Sequence, residues 1–443
     1  MKVMKWSAIA LAISAATSQL AMAEAFVSDQ AESKGFIEDS SLNFLVRNYY
    51  FNRNNFDDTH DSKDWTQGFW ANYTSGYTQG TVGFGVDAFG YLGLKLDGGR
   101  GTTGTGNLPV ENDGRPSDSY GKAGAAVKIR VSKTELKAGD MQPANPVFAV
   151  GGTRLLPQTA SGFNLMSSEI AGLDVEAGHF YSSTSQTTTA RDGELYATYA
   201  GVAADSADFI GGKYAFTDNF SASLYGSKLE DIWKQYYANL NYTLAIADNQ
   251  SLGLDFNYYN TKDDGSAKAG DIDNNTFSLA AAYTISAHTF TLAFQKVNGD
   301  EPFDYLGVGG ELGDRNGNKG ADSIFLANSV QYSDFNGPGE KSWQARYDLN
   351  MAEYGVPGLT FMARYINGKD IDGSHATGAY AGLYGDDEKH HETNVEAKYV
   401  LQSGPAKDLS FRIRQAWHRA SNGQLDGDAD EFRLIVDYPL SVL

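Results

Sequence analysis

The sequence predicts an all-β chain, folded as a transmembrane antiparallel β-barrel of about eighteen strands, with two long loops that are candidates for folding inward. Three observations carry that expectation. Apolar residues recur at every second position in segment after segment, and the connections between segments alternate between very short and long. Beyond the N-terminus, no stretch is apolar for the roughly 18 residues that a membrane-crossing helix needs.

Alternation comes first because successive side chains of a strand point to opposite faces. Leu252, Leu254, Phe256 and Tyr258 alternate with Gly253, Asp255, Asn257 and Tyr259. Trp343, Ala345, Tyr347 and Leu349 alternate with Gln344, Arg346, Asp348 and Asn350, and Val82, Phe84, Val86 and Ala88 with Gly83, Gly85 and Asp87. In a barrel of this kind the apolar face meets lipid and the polar face lines water. The pattern recurs in segments from 42–53 to 430–442. Brief turns such as Thr217-Asp218-Asn219 and Ser286-Ala287 alternate with the long polar stretches 97–120, 183–206, 298–340 and 368–391. Two places depart from this rhythm: the connection at 229–231 is short where a long one is due, and 192–200 has the character of an additional strand. Closing the sheet removes the edges whose unpaired backbone groups lipid could not satisfy.

The chain starts with Lys2 and Lys5, an apolar run from Ala8 to Ala16, and Ala21-Met22-Ala23, the three zones of a secretory leader. Residues 1–23 are therefore expected to be a signal peptide and 24–443 one barrel domain. With no cysteine, neither a disulfide framework nor a lipidated cysteine is available. A formal charge of −20 argues against a nucleic-acid partner, which requires a basic face. Ten prolines, 49 glycines and 13% aromatic residues suit many half-apolar strands better than a soluble core.

Parity also locates candidate functional groups. Arg346, Arg364, Lys398, Arg412, Arg414 and Arg433 fall on the polar face of the last five strands, and closure brings Arg47 and Arg53 of the first strand beside them. Such a wall offers planar, two-pronged partners to carboxylates; alternatively, the arginines balance acids across the lumen. Two long connections are candidates for folding inward: 142–160, with Pro143, Pro146, Pro157 and Arg154, and 298–340, with Asp304, Asp322 and Asp334. Other strings fail on context. Gly83-Phe84-Gly85-Val86-Asp87-Ala88 matches a dinucleotide fingerprint but lies within a strand with no helix after it. Asp314-Arg315-Asn316-Gly317-Asn318 resembles a calcium loop, yet Lys319 stands at the turn glycine and Phe325 at the closing glutamate. His390 and His391 are expected in a solvated charged loop, and no metal or cofactor is assigned.

Several runs resemble the outer-membrane porin D family of pseudomonads. They are Gly35-Phe36-Ile37-Glu38-Asp39-Ser40-Ser41, Arg47-Asn48-Tyr49-Tyr50-Phe51, Gly80 to Gly98, Phe335 to Arg346, and Phe432 to Leu440. The resemblance implies a monomeric eighteen-strand channel with two inward loops, set in outer-membrane lipid and lipopolysaccharide. It implies as solutes small zwitterionic or cationic amino acids, small peptides and carbapenem-type antibiotics. Carried over position by position, it implies a basic ladder of Arg47, Arg53, Lys398, Arg412, Arg414 and Arg433. The implied constriction is Arg154, Tyr199, Tyr305, Asp322, Ser329, Tyr332 and Asp334. Lys63 stands where the family pattern has arginine, and the stretch from Leu312 to Lys319 is longer and more polar. A serine-peptidase alternative would fall on His179, Asp231 and Ser323. Its weakness is that His179 shares the parity of Leu173, Val175 and Ala177, which turns it outward, away from a serine on a lumen loop.

Overall fold

The computed structural model describes residues 27–56, 60–310, 316–317 and 320–443. The expected leader lies outside the described residues, as do Asp314, Arg315, Asn318 and Lys319 of the calcium-like string.

Among the described residues, eighteen strands form one closed antiparallel sheet, from Ser41–Asn55 to Ala429–Ser441. The last strand pairs with the first, setting Arg47 opposite Asp437 and Arg53 opposite Glu431. Outward positions carry bare apolar side chains: Ile210 and Leu224 are 67% exposed and Leu292 is 66% exposed. At about 25 cal/mol per Å² this surface would be costly in water, whereas in lipid it faces its natural solvent.

Two-residue turns close one end of the barrel, at Ser132-Lys133, Ala171-Gly172, Asp218-Asn219, Asp248-Asn249 and Ser286-Ala287. Gly172 takes φ 78°, a conformation glycine adopts without strain. The long connections leave from the other end. The short connection Glu230–Ile232 also lies at that end, where the next loop caps it: the Lys268 N–H donates to the Asp231 carbonyl at 2.9 Å and the Asp264 N–H to the Ile232 carbonyl at 3.1 Å. Alternation of the two ends therefore holds throughout, and the break expected there is one tight turn.

Two expectations are corrected. The stretch 192–200 adds no wall strand: Leu195–Ala197 pairs with Val202–Ala204 and Leu306–Val308 in a small separate sheet that joins two loops. His390 and His391 lie within the strand Glu388–Val400, not in a loop. That strand begins among charged residues, and a strand end that rises beyond the hydrocarbon needs no apolar outward face, so its start shows no alternation. The Gly83 to Ala88 string lies in the strand Val82–Gly98, as expected.

The apolar core sits between the walls and the inward loops. The Tyr259 hydroxyl donates to the Pro146 carbonyl at 3.0 Å, and the rings of Phe148 and Phe180 meet at 4.9 Å. Farther along the same loop, Trp70 Nε1 donates to the Leu155 carbonyl at 2.8 Å and Arg47 Nη1 to the Arg154 carbonyl at 2.7 Å. The 142–158 connection is thus tied to strands far apart in the wall and spans the lumen. The 299–340 connection packs onto it, with the Asp322 N–H donating to the Ala149 carbonyl at 3.0 Å.

Candidate functional site

The two inward loops and the basic strands meet around a cavity of about 200 Å³ in the lumen. Arg154, Tyr305, Asp322, Ser329, Tyr332 and Asp334 line it from the loops, and Arg414 and Arg433 line it from the wall.

Asp334 accepts three side-chain hydrogen bonds in the cavity. Its Oδ2 accepts from the Tyr199 hydroxyl at 2.8 Å and the Tyr305 hydroxyl at 3.0 Å, and its Oδ1 from the Ser329 hydroxyl at 2.6 Å. Tyr199 thus reaches the site through Asp334. The limb bearing Asp334 is pinned to the wall by Glu392, which accepts the Tyr332 N–H at 3.1 Å and the Ser333 N–H at 3.0 Å. Burial, and then the nearby Asp334 charge, hold the Tyr199 and Tyr305 hydroxyls far above their usual range, so both remain donors.

Asp304, behind the cavity, holds the loops together. Its Oδ1 accepts the backbone N–H groups of Tyr199 at 2.9 Å and Tyr305 at 2.7 Å. Its Oδ2 accepts the Ala200 N–H and the Tyr380 hydroxyl, each at 3.0 Å. Burial pushes the Asp304 carboxyl up to about 6 against these four donors. Asp322 is likewise pushed up to about 6, chiefly by burial, with the Gly152 N–H and Arg154 opposing the rise. Burial first, and then Arg433, lower Arg154 from its usual range.

The cationic side is built differently. Arg433 and Arg53 share Glu431, at 2.5 Å and 2.6 Å, and Arg433 also donates to the Gln331 carbonyl at 3.0 Å. Arg414 and Arg412 share Glu396, at 3.2 Å and 2.7 Å, and Arg47 pairs with Asp437 at 2.8 Å. Arg346 pairs with Asp348 at 2.7 Å, and Arg364 donates to Asn394 at 2.6 Å. Lys398 stands opposite Arg412 in register and has no ion pair among the described residues. Among the described residues, six of these eight cations pair with an acid, and each of those acids stands in the same wall, on the same or the adjacent strand, not across the lumen.

Of the expected site residues, Arg47, Lys398, Arg412 and Arg53 do not line the cavity, and Arg53 lies beneath the Tyr332 ring, 4.9 Å from its centroid. Glu431 was not singled out from the sequence, although it shares the parity of Arg433 two residues away. Asp304 was seen only as a loop acid, because its role depends on contacts between loops that no periodicity encodes. The peptidase candidates do not meet. His179 faces outward and bonds Asp208 at 2.7 Å. Asp231 sits in the tight turn at φ 60°. Ser323 is fully buried and donates to the Ala149 carbonyl at 3.1 Å.

Comparison with known proteins agrees with this architecture. Residues 34–442 match the family described as outer membrane porin, OprD family. The chain is 70% identical to Porin D of Pseudomonas aeruginosa over the whole of both chains. It is 37% identical to the porin-like protein GalP of Pseudomonas putida, covering 94% of this chain and 95% of that one. The crystal structure of Pseudomonas aeruginosa OprD superposes with a TM-score of 0.82 at 66% identity, covering 95% of this chain and all of that one. Pseudomonas aeruginosa OpdK, solved with vanillate, gives a TM-score of 0.82 at 36% identity over 92% of this chain and all of that one. The chain belongs to the OprD family: it is an outer membrane porin, a channel for small solutes and not an enzyme.

Proposed function

We propose that this porin acts as a monomer, surrounded by outer-membrane lipid and lipopolysaccharide, and admits small carboxylate-bearing solutes, with basic amino acids preferred. Small peptides and carbapenem-type antibiotics carry the same carboxylate and belong to the same class. The observation that carries this reading is the composition of the cavity, where Arg154, Arg414 and Arg433 share one small space with Asp322 and Asp334. A solute with a carboxylate and an extra cationic group satisfies both sides at once. A simple anion meets the acids and a simple cation meets the arginines.

Along the wall, Arg412, Arg47 and Lys398 supply further partners for the carboxylate. Because Arg47 and Arg412 already hold wall acids, a passing carboxylate exchanges with those acids, so binding at each step stays weak enough to release. The vanillate bound to OpdK is itself a carboxylate, which supports the class and leaves the choice of solute to the loops.

Single-channel recording in a planar bilayer tests the proposal. Arginine added to one side should interrupt the ionic current at lower concentration than glutamate or glucose does. Equal interruption by all three would overturn the reading.

A further inference from the structure

One aromatic ring stands at the centre of the cationic side. Phe51 lies in the first strand, Ser41–Asn55, points into the lumen and is fully buried. Three guanidinium groups surround its ring: those of Arg53 and Arg154 each lie 5.4 Å from the centroid, and that of Arg433 lies 5.6 Å from it. They arrive by different routes. Arg53 is two residues along the same strand on the same face, Arg433 is directly opposite on the closing strand, and Arg154 comes from the inward loop.

Charge alone would not gather these groups. One carboxylate, Glu431, accepts from both Arg53 and Arg433. Arg154 has no ion pair among the described residues; its Nε donates to the Thr105 carbonyl at 3.0 Å. Three like charges around one buried point repel one another; Glu431 pairs two of them and Asp322 lines the same cavity as Arg154, which offsets only part of that repulsion. The negative face of an aromatic ring attracts a cation within about 6 Å of its centroid, more strongly where water is excluded. Phe51 therefore supplies attraction without neutralising charge, so the guanidinium groups are held close with their excess positive charge intact. Tyr49, two residues back on the same face, packs its ring 6.4 Å from that of Phe51 and is itself fully buried. That backing fixes the position of the Phe51 ring.

We propose that Phe51 is the positioning residue of the constriction: its ring holds Arg53, Arg154 and Arg433 together and so sets the positive side of the field across the pore. This deepens the carboxylate reading above, and it has a readout that needs no carboxylate. An aliphatic side chain of similar volume would keep the packing and lose the ring face.

The experiment compares the parental channel with Phe51→Leu, Phe51→Met and Phe51→Tyr in planar bilayers. Folding is first confirmed for each by the altered gel mobility of the unheated barrel. The Leu and Met variants should shift the reversal potential in a KCl gradient toward greater cation selectivity. They should also raise the arginine concentration needed to interrupt the current about fivefold, the change that about 1 kcal/mol produces. Phe51→Tyr retains a ring and should keep the parental values. A folded Leu or Met variant with parental reversal potential overturns the proposal, as does a Tyr variant that behaves like Leu. Should only Phe51→Tyr fold, a shifted reversal potential in it overturns the proposal and a parental one supports it. If the reversal potential moves but arginine and glutamate interrupt the parental channel equally, Phe51 keeps its role and the carboxylate reading fails.

Discussion

The two sides of the constriction are made by different means. The cations come mainly from strands, where Arg53, Arg414 and Arg433 are fixed by backbone register and by Glu431 and Glu396 in the same wall. The acids come from a loop, where Asp322 and Asp334 are held by side-chain contacts to other loops. Strand pairing is cooperative and tolerates local change, whereas a loop conformation rests on a few contacts. The cationic wall should therefore keep its shape when altered, and the acidic limb should lose its shape. The exception is a buried acid within the wall on which two arginines depend.

That exception gives the largest expected effect. Glu431→Gln leaves Arg53 and Arg433 facing a neutral amide in a buried place, and breaking a buried ion pair from one side costs about 3–5 kcal/mol. Denaturant-induced unfolding in lipid vesicles should show that loss, whereas a change below about 0.5 kcal/mol would place the pair with ordinary exposed ion pairs.

On the loop side, Asp304→Asn removes one of two carboxylate oxygens that together accept four donors. An unsatisfied buried donor costs about 1–3 kcal/mol, and here the loss falls on the loop junction, not on the sheet. The variant should unfold close to the parental denaturant concentration but conduct with larger and noisier openings. A parental current trace would mean that Asp304 does not hold the loops.

Acidity should act on the loop side at a milder level. Burial pushes the Asp322 carboxyl up to about 6, so it is charged at about pH 7.5 and neutral at about pH 5. Preference for arginine over glutamate should fall on acidification, and Asp322→Asn should remove that part of the pH dependence. The folded chain binds this proton more tightly than the unfolded chain does, so the same group favours folding as pH falls through about 6. A pH profile left unchanged by the substitution would place the titration elsewhere.

The same contrast explains what could be read from the sequence. A period of two assigns every strand residue to lumen or lipid, which is why the wall cations and the outward turn of His179 followed from alternation alone. Strand ends such as Glu388 to His391 rise beyond the hydrocarbon, where the outward face needs no apolar residue, and the pattern stops there. Loop geometry carries no period at all. Leu195–Ala197 has the alternation of a strand but pairs with loop residues Leu306–Val308, and Asp304 gains its role only when the loops meet. The pattern of the chain offered Asp334 only as one acid of an inward-folding loop; its partners Tyr199 and Tyr305 came from the resemblance to known porins. Phe51 lay inside one of the resembling runs, but its three guanidinium neighbours come from three separated parts of the chain.

A field between the arginine wall and the loop acids should select solutes bearing both charges, and competitive uptake reads that selection. Cells lacking other porins would receive labelled arginine and glutamate together through the parental channel and through Asp334→Asn. At about 0.15 M salt the Debye length is about 8 Å, so charges facing each other across so small a cavity are only partly screened. The parental channel should favour arginine, and the favour should weaken with added salt yet persist. In Asp334→Asn the ratio should fall, because the amide presents no charge to the cationic end of the solute. An unchanged ratio in the variant, or a parental channel that prefers glutamate, would contradict the account.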